Sequence, residues 1–314
     1  MDGFMATGAG RRRTLRSRIG FAGIGLHSGR RIRGCLVPAG SGTGITFLRT
    51  DLGIAIPARH NFVVDTRLCT VLGVQNARIG TVEHVMAALA AHGVDDAVVE
   101  VDGAEIPIFD GSAEPFQFLL DCAGIVTQPG IARSIEVLRP VRVREGDGPD
   151  AAWAELHPAD GPYFEAELAI DFTASAIGRQ QLALRLTPGT FREELAPART
   201  FTLAEDVTRL RAAGLALGGS LDNAVVVDGP LVLNPGGLRS PDEFVRHKLL
   251  DVVGDLALAG APLAARFVGH RTGHALNNRL LLALFADDLA WRFTGGHTMV
   301  DGISARLTAA AVAA

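Results

Sequence analysis

The chain has 314 residues, 48% of them hydrophobic and 20% charged, with a formal net charge of −4. Such a chain is long enough for two ordinary domains and is globular, not disordered. Its acidic balance argues against a nucleic-acid binder with a broad basic face.

In chain order, residues 1–10 read as a frayed leader. The opening stretch MDGFMATGAGRRRTL has no apolar segment after its basic cluster, so it does not read as a secretory signal. Residues 11–73 are strand-like, with short apolar runs broken by turns. TVEHVMAALAAHGVDDAVVEV (81–101) reads as helix, turn and strand, with Thr81 as N-cap, Met86, Leu89 and Ala90 on the apolar face, and Gly93 as the stop. A second helix spans 112–124, from a Ser cap to a Gly. VTQPGIA (126–132) is the expected linker. The acidic, Gly-rich VDGAEIPIFDGSAEPF lacks the spacing of an EF-hand and reads as strand, tight loop and helix cap.

The second half repeats this order. RSIEVLRPVRVREG and AAWAELHPADGPYFEAELAIDF read as strands and hairpins. SPDEFVRHKLLDVVGDLALAG (240–260) is a helix with Ser240 as N-cap, Pro241 at N1 and Glu243 closing a capping box. AARFVGH is a strand, and a helix opens at His274. Both halves therefore run strands, helix, strand, helix. The expected fold is α+β, in two similar domains, 11–128 and 131–314. Each is a sheet packed on helices in a layered sandwich, with the active site between them.

No apolar run reaches the roughly 18–20 residues of a membrane span. Cys35, Cys69 and Cys122 are odd in number and far apart, which predicts neither a disulfide framework nor a Cys-rich zinc site. Cys69 is read as a buried small hydrophobe and His27, in GLHSG, as a hairpin residue. A reducing, cytoplasmic setting is expected. No P-loop, G-x-G-x-x-G or G-x-S-x-G occurs, so nucleotide hydrolysis, dinucleotide redox chemistry and serine hydrolysis at an elbow are unsupported.

FVRHKLLDVVGD (244–255) stacks His247, Asp251 and Asp255 on one helix face. His247 and Asp251 offer two metal ligands, and an open catalytic site usually takes a third. TVEHV offers His84, with Glu83 beside it as a candidate general base. His274 follows a Gly at a helix start, where the dipole can lower its pKa, and Asp255 could orient it or keep it charged. Of 30 basic side chains only one is Lys, and it is Lys248, directly after His247. A position that keeps Lys in so Arg-biased a chain is a candidate for a compact, flexible ammonium. In PARTF (197–201) the hydroxyl of Thr200 could stabilise developing negative charge.

Together, TVEHVMAALAAHGVDDAVVEVDGAEIPIFDGSAEPF, SLDNAVVVDG, GLRSPDEFVRHKLLDVVGDLALAG and GHRTGHALNN closely resemble the zinc-dependent UDP-3-O-acyl-N-acetylglucosamine deacetylases, over residues 12 to about 290. The resemblance implies hydrolysis of the acetamide of an acylated UDP-sugar, the committed step of lipid A synthesis in Gram-negative bacteria. It implies one Zn²⁺ per chain, held by His84, His247 and Asp251, with Fe²⁺ an alternative for the same ligands. Glu83 matches the family's general base, and His274 the group that protonates the leaving amine. Asp255 matches that histidine's partner, and Thr200 the hydroxyl that polarises the amide. Lys248, Arg199, Phe201, Leu203, Ser220 and Val226 are expected to contact substrate. The last of these belong to an apolar stretch, 201–227, that would line an acyl passage with Val207, Leu217 and Leu221.

Two departures stand out. Leu203 replaces an aromatic usual in the family, which could widen or reshape the acyl passage. Arg271–Thr272 replace Lys-Ser, which should keep the charge but not necessarily the phosphate geometry. The competing readings are a metal amidase for another acylated amino sugar, and a nucleotide-sugar or lipid-binding module without turnover. No nucleic-acid partner or membrane anchor is expected, only peripheral membrane contact, and the chain is expected to be a monomer.

Overall fold

A computed structural model describes residues 10–148 and 151–295. Residues 1–9, most of the stretch read as a leader, and 296–314, the end of the second half, lie outside the described residues.

The architecture is α+β. A five-stranded sheet from the first half is ordered Ile19–Ile24, Arg31–Pro38, Ala97–Val101, Ile45–Arg49, Ile54–Pro57. Its middle strand, Ala97–Val101, runs antiparallel to Arg31–Pro38 and parallel to Ile45–Arg49. The alternation of AVVEV explains its place, since Ala97, Val99 and Val101 are fully buried. In the second half Leu263–His270 occupies the equivalent position. It pairs antiparallel with Ala152–His157 on one side, and parallel with Ser134–Val137 and then Phe164–Asp171 on the other. Each middle strand directly follows a buried helix, Glu83–Ala91 in one half and Glu243–Ala257 in the other. The two halves thus use one wiring pattern twice.

These two helices pack on one another. In Glu83–Ala91 only Ala90 escapes full burial, and in Glu243–Ala257 only Arg246, Lys248 and Ala257 do. Helices covered on all sides need apolar residues all round, which explains why neither shows a clean amphipathic stripe. The contact is close because residue 254 is glycine: a Cβ there would overlap the carbonyl of Glu83. Glu83 and His84 are therefore held against the middle of the second helix.

Three local expectations change. Thr81 is not an N-cap: it sits in the left-handed region at φ 57, its hydroxyl is 3.4 Å from Glu105, and the helix begins at Glu83 without a side-chain cap. The capping box at 240–243 does not form either. The helix starts at Glu243, and that carboxylate instead takes the backbone N–H groups of Arg199 and Arg239 and the Arg199 guanidinium. A charged long-range partner outcompetes a local backbone one. Residues 126–132 are no free linker, because Ile125–Ile131 pairs antiparallel with Arg11–Leu15. The sequence reading also passed over the strand Arg179–Leu186, paired to Phe164–Asp171, and the helix Ala204–Ala212.

Candidate metal and proton-transfer site

His84 at the start of the first helix faces His247 and Asp251 in the second. The two imidazoles meet edge to face with centroids 5.1 Å apart. Asp251 Oδ1 lies 3.4 Å from His247 Nε2 and 3.8 Å from His84 Nε2. One donor atom from each of the three residues falls within 4.8 Å of the others, and all three side chains are buried.

The protonation states suit a cation. His247 Nδ1 lies 3.0 Å from the carbonyl of Ala198, which makes Nδ1–H the donor and leaves a lone pair on Nε2. That lone pair faces a carboxylate oxygen, an arrangement that repels until a cation sits between them. Burial, with His247 adding repulsion, pushes His84 down to about 3, and burial also lowers His247. Both are neutral at pH 7. For Asp251 burial opposes ionisation, but Lys248 and the surrounding histidines override it and hold the carboxyl well below its usual range. His84 Nδ1 is buried with no hydrogen-bond partner among the described residues. Two neutral imidazoles and a carboxylate are a suitable donor set for Zn²⁺ or Fe²⁺.

Lys248 donates from Nζ to Asp251 Oδ2 at 2.6 Å. It occupies the carboxylate oxygen turned away from the histidines, leaving Oδ1 to them. Burial works against the ammonium, yet Asp251 raises its pKa and keeps it charged.

Beside this cluster lies a second one. Asp255 Oδ2 receives His274 Nδ1–H at 2.8 Å and Asn277 Nδ2–H at 2.8 Å, and its Oδ1 receives the Thr70 hydroxyl at 2.5 Å. His274 opens the helix His274–Phe285. The sequence reading allowed that this terminus would lower its pKa, but the outcome is the reverse. Burial does oppose the charge, but the Asp255 contact prevails and lifts His274 to about 9. Glu83 completes the site. Burial, reinforced by Asp255 and Asp251, pushes it up to about 7 against the pull of His274, and the Thr70 N–H points to its Oε2 at 3.1 Å. A base near neutrality and a cationic acid thus flank one donor cluster, the pairing that hydrolysis of an unactivated amide requires.

The remaining predicted residues divide. Ala198, whose carbonyl fixes His247, begins the run to Thr200 and Phe201, and the Phe201 ring is 6.3 Å from that of His247. Thr200 is anchored on both sides, its N–H to Gly111 and its carbonyl to Val225 N–H. Gly111 is required here: at φ 89 it lies so close to Asn223 that a Cβ would clash. Arg199 is not brought to the cluster. It grips buried Glu243 at 2.8 Å and the Gly237 carbonyl, bracing the loop that presents Thr200. Phe201–Leu203 pairs in parallel with Val225–Asp228, which places Leu203 opposite Val227 and Val226 opposite Thr202. Ser220 lies within the loop between Ala204–Ala212 and Val225–Asp228, its N–H going to Asn223 Oδ1, and nearby Leu217 and Leu221 are exposed. Cys69 is buried as expected, and burial pushes its thiol up. His27 lies in the turn after Ile19–Ile24 as expected, and its carbonyl takes the Leu217 N–H.

Thr70, Asn277 and the Ala198 carbonyl went unread. Each acts through hydrogen bonds to residues distant in sequence, two for Thr70 and one each for the Asn277 amide and the Ala198 carbonyl, and no spacing rule reports such bonds. Among the described residues no helix is long and apolar enough to cross a membrane.

A sequence model of UDP-3-O-acyl N-acetylglycosamine deacetylase (LpxC) matches residues 12–286. Proteins named UDP-3-O-acyl-N-acetylglucosamine deacetylase are similar along nearly their whole length. That of Anaeromyxobacter dehalogenans is 47% identical, covering 96% of each chain. That of Acidithiobacillus ferrooxidans is 48% identical over 90% of this chain and 92% of its own. That of Shewanella frigidimarina is 46% identical over 92% of this chain and 94% of its own. This chain belongs to the UDP-3-O-acyl N-acetylglycosamine deacetylase family.

Proposed function

We propose that the chain hydrolyses the acetamide of UDP-3-O-(3-hydroxyacyl)-N-acetylglucosamine to the free amine and acetate, the committed step of lipid A synthesis. The observation that carries this reading is the placing of Glu83 and His274, a base near 7 and an acid near 9, around one donor cluster. A module that only bound the sugar would need neither.

Zn²⁺, or Fe²⁺ in its place, held by His84, His247 and Asp251, would polarise the acetamide carbonyl and make a water easier to deprotonate. Glu83 takes a proton from the attacking water, with its carboxylate aimed by the Thr70 N–H. Thr200 offers its hydroxyl to the carbonyl oxygen as negative charge develops there. His274, kept cationic by Asp255, donates its proton to the glucosamine nitrogen as the C–N bond breaks. Water has then added across the amide, and acetate and amine leave. Lys248 meets the polar part of the substrate while holding Asp251.

Phe201, Leu203, Val226 and the exposed Leu217 and Leu221 form the lipid end of the site. Residues 11–128 and 131–314 act as two domains that close on the substrate from either side. The protein works as a monomer at the cytoplasmic surface of a membrane, touching it peripherally. The test is acetate release from the acylated substrate against UDP-N-acetylglucosamine. Turnover should fall by on the order of 10²-fold or more without the acyl chain, because binding energy remote from the reacting bond is used in the transition state. Equal turnover of the two would refute acyl-sugar specificity.

A further inference from the structure

The mechanism leaves one buried side chain unexplained. Thr70 is 1% exposed and immediately precedes the short strand Val71–Val74. A buried threonine hydroxyl usually bonds a backbone group nearby in sequence. That of Thr70 goes to Asp255 Oδ1, 185 residues further along the chain, at 2.5 Å. Its own backbone N–H goes to Glu83 Oε2 at 3.1 Å. One residue of the first half therefore touches both the base and the carboxylate that holds the acid, and that carboxylate belongs to the second half.

The geometry points to Thr70 as a positioning residue that fixes the acid arm of the site, His274 on Asp255, relative to the base Glu83. This rests on the deacetylase reading above. Asp255 has two oxygens and three donors. Oδ2 serves His274 and Asn277, so its direction depends on what Oδ1 does. A hydroxyl on Oδ1 stops the carboxylate rotating about its Cβ–Cγ bond, and with it the imidazole that must meet the leaving nitrogen. Displacements well under 1 Å matter in such proton transfers. The Thr70 N–H survives any side-chain change, so substitution isolates the hydroxyl from the Glu83 contact.

The experiment is steady-state acetate release by the full-length, metal-loaded protein carrying Thr70→Val, Thr70→Ser or Thr70→Ala, with metal content and melting temperature measured alongside. A hydrogen bond to a buried charged group spans about 10–100-fold in an equilibrium, and kcat of Thr70→Val should drop by that much. KM and bound metal should stay within about twofold, and Thr70→Ser should recover most of the loss. If Thr70→Val does not fold, Thr70→Ser against Thr70→Ala makes the same comparison with one hydroxyl. In an Asp255→Ala background, Thr70→Val should add little, because the two act through one contact. A Thr70→Val enzyme with full kcat, or one whose penalty persists undiminished without Asp255, overturns the positioning role alone. Absence of acetate release from the unmodified protein overturns the deacetylase reading and this role with it.

Discussion

His84 and His274 share one buried site, yet they are driven in opposite directions. His84 faces its carboxylate, Asp251, at 3.8 Å without a hydrogen bond, and burial takes it down to about 3. His274 donates to Asp255 at 2.8 Å and rises to about 9. Burial alone would make both neutral. What separates them is whether a carboxylate oxygen is free to accept from the ring. Asp251 has Oδ2 taken by Lys248 and turns Oδ1 towards two imidazoles at once, as a ligand does. Asp255 commits Oδ2 to His274 and Asn277 and Oδ1 to Thr70, as an orienting partner does. One helix thus presents Asp251 as the proposed ligand and, one turn later, Asp255 as the proposed partner of the acid.

The contrast can be broken from either side. The largest effect should come from His247→Ala, which removes one of the three proposed ligands. Bound metal should fall below stoichiometric amounts and acetate release become undetectable, read by metal analysis and activity on one preparation. Full metal occupancy in that variant would remove His247 from the ligand set. Asp255→Asn should act next most strongly, and mainly through pH. A group whose pKa is raised is protonated below it, so the native rate should fall as pH climbs through about 9 and the acid is lost. On the acid side the rate should fall as pH drops through about 7 and Glu83 takes a proton. These values are upper bounds on the two midpoints, because a bound dication favours the deprotonated form of both groups. Without the Asp255 charge, burial works on His274 with less opposition, and the alkaline limb should move down by about 2 units. An unmoved alkaline limb would mean that another group is the acid. The Thr70 substitutions are the gentlest of the set.

Part of this could be read directly from sequence. Spacing of four placed His247, Asp251 and Asp255 on one face because helical geometry is local. The Arg bias singled out Lys248 for the same reason: composition needs no tertiary knowledge. The likeness of the two halves offers His84 as the third ligand, and only the family resemblance fixes it, because nothing in TVEHV says which helix it will meet. The glycine that permits the meeting, Gly254, lies one residue before Asp255 and carries no sequence signal, because a close helix approach is visible only in the fold. The capping box failed through competition, since Glu243 found Arg199, a stronger partner no local rule sees. Thr70 and Asn277 remained illegible for a related reason. Their chemistry is ordinary, and only the fold tells which carboxylate they reach.

The central claim is that one metal and one base act together. It is tested most directly by metal content and acetate release measured together on the native protein and on Glu83→Gln. The account predicts one equivalent of metal in both. Acetate release should be rapid in the native protein and lower in the variant by up to about 10⁴-fold, the upper range for a lost general base. A metal-loaded Glu83→Gln protein that still releases acetate at the native rate would contradict it.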